Sequence, residues 1–449
     1  MQPRHVLLTG AGLAFAVAFL AYAARSSGPY HFDDWVTPVA DPASQSLSAF
    51  VSNMTRTLRP VSKLSFALES SLGLGALPWA RRMVSAAMHG ASAALLFMVA
   101  ARLRAGLVAA ASVSCLFAVH PIHAEMVWAL AGRGALMAVG LSLAALLAQL
   151  RGRFWGAGAL LALACLCRET AAAFALPLFA LELARRREGA RELFRRLEPA
   201  LCVVFLAVAF VLQNARYREL IDYSAHGRPY VQSVAAQLEA VGIGLSLYVR
   251  PGALTLDHGE ALTQRLSSLQ ALFGVAVLVG MGGALVLAVR ARAALAAVGW
   301  AWVLASLLPT QTLIPKLDPL TERPFAAAFV GVALLLVALV RRVRRTAFER
   351  RSIQRAAIAA SVLACGWLAL ATWQRGALYA SDVELWRDAA SKSVTNPRPH
   401  YNLSVALLGA GRVSEARQAL KRARQIDPFD SEMRGLAARI DPAVASELP

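Results

Sequence analysis

Two adjacent carboxylates, Asp33 and Asp34, stand in the stretch GPYHFDDWVTP just after an apolar run, flanked by Phe32 and Trp35. A carboxylate at a membrane boundary is ordinarily a solvated helix end, but aromatic neighbours can seat a loop in the interface while one carboxylate turns toward a cavity. So placed, Asp33 or Asp34 can act as a general base on an acceptor hydroxyl, with Asp34 favoured. A second group lies in HPIHAEMVWALAGR, where His120 and His123 are three apart and Glu125 follows. As a zinc site it is incomplete, and a hydrogen-bonded turn accounts for it better. Beside Trp128 and Arg133, the same three side chains also suit the wall of a substrate pocket. A third group consists of scattered cations: Arg59, Arg133, Arg168, Lys316 and Arg323, with Glu169 directly after Arg168. Arginine matches phosphate in bidentate geometry, although Arg168 and Glu169 can simply neutralise each other.

The elements that must position these groups are membrane helices. The 449 residues are 57% hydrophobic, which points to a polytopic membrane protein rather than several soluble domains. The net charge of +19 is no sign of nucleic acid, because most arginines cluster beside apolar segments, as the positive-inside rule requires. Apolar runs near 6–24, 83–101, 105–119, 134–150, 154–167, 170–184, 199–213, 269–289, 293–308, 325–340 and 356–373 predict about eleven transmembrane helices, the first retained rather than cleaved. Basic connections, above all RRREGARELFRR (185–196) and RRVRRTAFERRSIQR (341–355), belong on the cytoplasmic side. A full crossing by VAAQLEAVGIGLSLYV (234–249) would invert every later loop, so that segment is read as re-entrant or interfacial. The opposite face then receives residues 25–82 as a first outer loop, 120–133, Arg168 with Glu169, 214–268, 309–324 and everything after Trp373. The outer cations are few where the rule predicts few, and that shared side favours a binding role for them. The five cysteines fall in apolar runs without metal-site or disulfide spacing and read as small core residues.

The chain divides into a membrane domain, 1–373, and a soluble tail, 374–449. In the tail, Leu403, Leu407, Gly411, Ala416, Leu420, Ala423 and Pro428 fall at the offsets of a tetratricopeptide repeat, and VELWRDAASKSV (383–394) resembles the second helix of a degenerate repeat before it. One helix pair buries little surface, so the tail must pack on the membrane domain or on a partner.

The carboxylate pair, then LRPVSKLSF (58–66), MHGASAALLF (88–97), HPIHAEMVWALAGRGALMA (120–138), LCRETAAAF (166–174), LTERPF (320–325) and PHYNL (399–403) occur in one order along nearly the whole chain. Together they resemble the transmembrane O-mannosyltransferases with tetratricopeptide repeats, and the layout is similar to GT-C glycosyltransferases. The family usually has lysine at Arg168, which keeps the charge, and many members carry longer repeat arrays. The resemblance implies an all-α polytopic fold whose outer cavity takes a polyprenyl-phosphate-linked sugar, mannose or another hexose. It implies transfer to a protein or glycan hydroxyl, with inversion. Asp33 or Asp34 would be the base, and Arg59, Arg133, Arg168, Lys316 and Arg323 would hold the lipid phosphate. His120, His123, Glu125 and Glu169 would complete the site. No nucleotide-binding motif is seen, which fits a lipid-carried donor. No cofactor is called for, and a divalent metal is left open. The expected partners are the donor lipid, the acceptor and the bilayer, with no nucleic acid. The arginine-rich loops suit a bacterial inner membrane, with site and tail in the periplasm. The competing expectations are an envelope glycan ligase or polymerase, which would place its key basic residues in a late outer loop, and a non-enzymatic scaffold, which would gather no polar residues beneath the outer surface. A transporter is disfavoured by spans nearly free of mid-membrane charge.

Overall fold

The computed structural model describes residues 3–185, 189–226, 228–259, 262–346, 350–393, 395–427 and 436. Among these, every regular element is helical. Residues 186–188 and 347–349 of the two long arginine runs, and Pro428 of the repeat, lie outside the described residues.

Among the described residues, eight helices are long and apolar enough to cross a membrane: Arg4–Ala23, Pro78–Arg102, Leu130–Leu150, Ala190–Gln213, Leu269–Arg290, Ala294–Thr312, Glu322–Arg342 and Arg355–Leu378. Leu107–Val119 and Pro121–Val127 make a ninth if taken as one span broken by a 49° bend. The bend has a local cause: Pro121 offers no N–H, and His120 before it is held in extended backbone. The expected count of eleven is not reached among the described residues. The two remaining apolar runs are helical but short. Phe154–Cys167 has 14 residues, and Ala175–Arg185 has 11 after the 3-10 stretch Glu169–Phe174. At 1.5 Å per residue they measure about 21 and 16 Å, against a hydrocarbon core of about 30 Å. Tyr230–Ser246, expected as re-entrant or interfacial, is a 17-residue helix pinned where the Gln237 amide donates to the carbonyls of Thr310 (2.6 Å) and Ile314 (2.9 Å).

Small residues let these helices approach closely, as lipid-facing bundles require. Arg4–Ala23 lays Ala11, Ala14, Ala18 and Tyr22 against Pro78–Arg102. Ala294–Leu308 meets Glu322–Thr346 at two glycines, where a Cβ on Gly331 would stand 2.5 Å from the Gly299 carbonyl.

The segments expected on one face do meet. Asp34 in the first loop accepts from the Ala131 N–H at 2.9 Å, Arg59 pairs with Glu169, Asp33 faces Arg323, and Arg216 donates to the Arg56 carbonyl. The loop itself is registered by Arg82, whose buried guanidinium donates to the carbonyls of Ser26, Ser27, Gly28 and Pro29 and, at 2.9 Å, of Trp128. The tail packs on the membrane domain, one of its two expected places. Its helices Pro397–Gly409 and Val413–Ile426 form a hairpin around Leu407, Ala416 and Leu420, and Asp382–Lys392 packs before them. Arg398 grips Asp257 with two bonds of 2.6 and 2.7 Å and reaches Asp318 at 2.8 Å, while Lys392 donates to the Leu254 carbonyl.

Arg82→Ala strands a fan of buried carbonyls, each worth about 1–3 kcal/mol when left unsatisfied. A clearly lowered melting temperature in detergent is expected, and an unchanged one would contradict the role given to Arg82.

Candidate active site

A cavity of about 800 Å³ opens between the first outer loop, the 168–169 turn and Arg323. One wall is the turn 35–41, held in place by Lys63, which pairs with Asp41 at 2.6 Å and donates to the Thr37 carbonyl at 3.0 Å. The opposite wall is the helix Pro60–Ser71. Arg59, just before it, adopts the left-handed backbone (φ 58°), which a non-glycine residue seldom takes.

The two aspartates have different environments. Asp33 lines the cavity with half of its side chain exposed, and one of its oxygens lies 3.9 Å from Arg323 Nη2. Asp34 is fully buried, and its two oxygens accept from the N–H groups of Ala131 (2.9 Å) and His31 (3.2 Å). Burial pushes the Asp34 carboxyl above its usual range, with those two N–H groups and nearby Arg82 acting in the opposite direction. Asp34 is thus built into the loop while its neighbour faces the open space, the reverse of the expected order.

The cations converge in part. Arg59, Arg168 and Arg323 line the cavity. Arg59 is committed to Glu169 through two bonds of 2.9 and 2.7 Å. Burial alone would raise the Glu169 carboxyl, but Arg59 and the nearby Arg168 outweigh it and hold it down at about 2. Arg323 pairs with Glu125 at 2.7 Å, and Glu125 also accepts from the Glu322 N–H at 3.1 Å, which fixes the guanidinium. Arg168 makes no ion pair or side-chain hydrogen bond among the described residues. Burial, then repulsion from Arg59 and Arg323, lowers it to about 10. Lys316 donates to Thr321 Oγ1 at 2.9 Å and lacks a carboxylate partner among the described residues. Burial, then the charge of Arg168, brings it down to about 8. Neither cation has a carboxylate within ion-pair distance among the described residues, which leaves both able to meet an anion. A narrow cleft continues from Arg168 and Arg323 between apolar helix faces, past Phe174, Ala138 and Ala327.

Of the expected binding residues, Glu125, Glu169 and Lys316 do not line this cavity, and neither do three more. His120 accepts from the Ile122 N–H at Nδ1, so Nε2 carries the proton and donates to the Tyr248 carbonyl at 3.1 Å. His123 packs its ring against His89, Phe117 and Phe329, with neither nitrogen hydrogen-bonded. Arg133 is fully buried and bonds Glu69 (2.5 Å), the Arg81 carbonyl (2.6 Å) and Ser85 (3.0 Å). All three shape the turn from inside. The turn is drawn tight at Gly132, where a Cβ would meet the Glu125 carbonyl at 2.3 Å. Among the described residues, no three His, Cys, Asp or Glu side chains gather as metal ligands. Lys63, Arg56 and Arg216 line the cavity without having been singled out, although Lys63 stands in the quoted LRPVSKLSF. Arg81 and Arg82 were also missed. Their signal was an arginine pair at the start of a span, apart from the arginine-rich connections expected to be cytoplasmic.

Residues 383–440 match the family model described as a tetratricopeptide repeat. The chain is also similar to two proteins of Drosophila melanogaster. It is 28% identical over 290 residues to the protein O-mannosyl-transferase Tmtc2, covering 58% of this chain and 30% of that one. It is 36% identical over 146 residues to the protein O-mannosyl-transferase Tmtc1, covering 31% of this chain and 16% of that one. These alignments span less than a third of either relative's length.

Lys316 is charged below about pH 8 and loses its charge above it. Affinity for dodecyl phosphate, measured in detergent by titration calorimetry, should therefore fall between pH 7 and 9, and Lys316→Met should flatten that dependence. An unaltered pH profile in the variant would exclude Lys316 from the anion site.

Proposed function

We propose that this chain is a membrane glycosyltransferase of GT-C type. It moves a sugar, mannose or another hexose, from a polyprenyl-phosphate carrier to a hydroxyl acceptor, serine or threonine of a protein. The observation that most supports this is the half-exposed Asp33 in one cavity with Arg168, a cation without a carboxylate partner among the described residues. The similarity to two proteins named O-mannosyl-transferases supports the choice of mannose and of a protein acceptor.

The chemistry needs a base on the acceptor side and positive charge on the leaving side. Asp33 takes the proton of the acceptor hydroxyl. The hydroxyl oxygen forms a bond to the anomeric carbon, and the carbon–oxygen bond to the lipid phosphate breaks with its electron pair going to phosphate. Arg168 and Lys316 stabilise the charge that accumulates there, and Arg323, held by Glu125, stands between them and Asp33. Arg59, already paired with Glu169, acts as a wall rather than a free donor. A single displacement inverts the anomeric centre. The narrow cleft beyond Arg168 is the start of the path for the lipid tail. In this reading all eleven apolar runs lie in the bilayer, the short helices Phe154–Cys167 and Ala175–Arg185 as a pair beneath the cavity. The segment 234–249 is re-entrant, and site and tail face the periplasm of a bacterial inner membrane.

Asp33→Asn should lower transfer from a radiolabelled polyprenyl-phosphate sugar by about a hundredfold or more, the usual scale for losing a general base, with donor binding retained. Full activity in Asp33→Asn would remove the assignment. Asp34→Asn should lower the melting temperature along with activity, because its oxygens serve the loop.

A further inference from the structure

Asp33 is held from two directions by a single helix of the tail. The helix Asp382–Lys392 sends Asp382 to His31, with Oδ1 2.5 Å from Nδ1, and Trp386 edge-to-face onto Phe32, with ring centroids 5.3 Å apart. His31 is buried, and its other ring nitrogen lies 2.9 Å from the Tyr379 carbonyl, just before that helix. Phe32 has φ 40°, a left-handed backbone that a bulky residue keeps only where its surroundings impose it. His31 and Phe32 immediately precede Asp33, so the carboxylate direction follows from these two anchors. From the other side, Asp388 of the same helix bonds Arg375 at 3.0 Å, and Arg375 comes within 4.0 Å of Glu322. The Glu322 N–H in turn holds Glu125, the partner of Arg323, and Arg323 faces Asp33.

We propose that the repeat unit is a positioning element for the transfer step, with Asp382 on His31 and Trp386 on Phe32 aiming Asp33 at the acceptor hydroxyl. The inference rests on Asp33 being the base. The arm through Asp382 and Trp386 reaches Asp33 without passing through Arg168 or Lys316, so donor affinity should not depend on those two side chains. Releasing the helix lets Phe32 relax and Asp33 turn. A displacement of about 1 Å at a reacting group costs about a hundredfold in rate.

The test uses the full chain in lipid nanodiscs, with synthetic mannosyl-phosphoryl polyprenol as donor and a serine- and threonine-containing peptide as acceptor. Trp386→Ala and Asp382→Ala should each lower kcat by about ten- to a hundredfold while donor KM stays within about twofold. Trp386→Phe, which keeps an edge-to-face ring, should recover most of the rate. Asp382 is about a third exposed and tolerates truncation, so its kcat decides the matter if Trp386→Ala does not fold. Unchanged kcat in the alanine variants, with Asp33→Asn inactive, overturns this inference alone, whereas full activity in Asp33→Asn overturns the assignment beneath it. A matched loss of kcat, donor affinity and melting temperature would show ordinary packing and also overturn the positioning role.

Discussion

Arg82 gathers the carbonyls of Ser26, Ser27, Gly28 and Pro29 and that of Trp128 around one buried guanidinium, and the loops around the cavity take their register from that fan. A charged group away from water must be met on every side by acceptors, and backbone carbonyls that leave a helix need donors just as strictly. One side chain satisfies both needs. It fixes where the first helix ends relative to the 120–133 turn, and hence where Asp34 finds the Ala131 N–H and where Asp33 is left facing space. Tyr22 and Trp128 reinforce the joint, the indole donating to the Tyr22 carbonyl and the Tyr22 hydroxyl to that of His120.

The same electrostatic strictness separates cations that are paired from those that are not. Arg133 on Glu69, Arg398 on Asp257 and Arg59 on Glu169 each have a carboxylate, and such pairs hold segments together. Arg168 and Lys316 make no such pair among the described residues, and burial lowers both, helped by Arg59 at Arg168 and by Arg168 at Lys316. A negative ligand would relieve that repulsion. The cavity combines a carboxylate partly open to solvent, Asp33, with the cations Arg168 and Arg323 in its lining.

Much of this was legible in the chain. Hydropathy and arginine placement located the apolar runs and grouped the polar loops that the structure brings together, and the repeat offsets located the tail hairpin. What stayed hidden depended on contacts across the fold. Asp33 and Asp34 are chemically identical neighbours, told apart by burial and by contacts such as that with the Ala131 N–H, 97 residues away. His120 and His123 attract attention by spacing, yet a proline-broken turn directs both inward, where a backbone carbonyl and three aromatic faces occupy them. Hydropathy also says nothing of helix length once a run begins in 3-10 geometry, as after Glu169, and so the count of about eleven spans is not confirmed among the described residues. The tail's grip on the Asp33 loop could not be read, because His31 and Asp382 are 351 residues apart.

The most direct measurement is a cryo-electron microscopy map of the chain in nanodiscs saturated with a polyprenyl phosphate, the lipid product of the proposed reaction. The account predicts phosphate density within about 4 Å of the Arg168 guanidinium and the Lys316 ammonium, the reach of an ion pair. It also predicts that the lipid tail enters the cleft beside Phe174 and that Asp33 lies across the cavity. Phosphate density at another surface, or an empty cavity at saturating lipid, would contradict it.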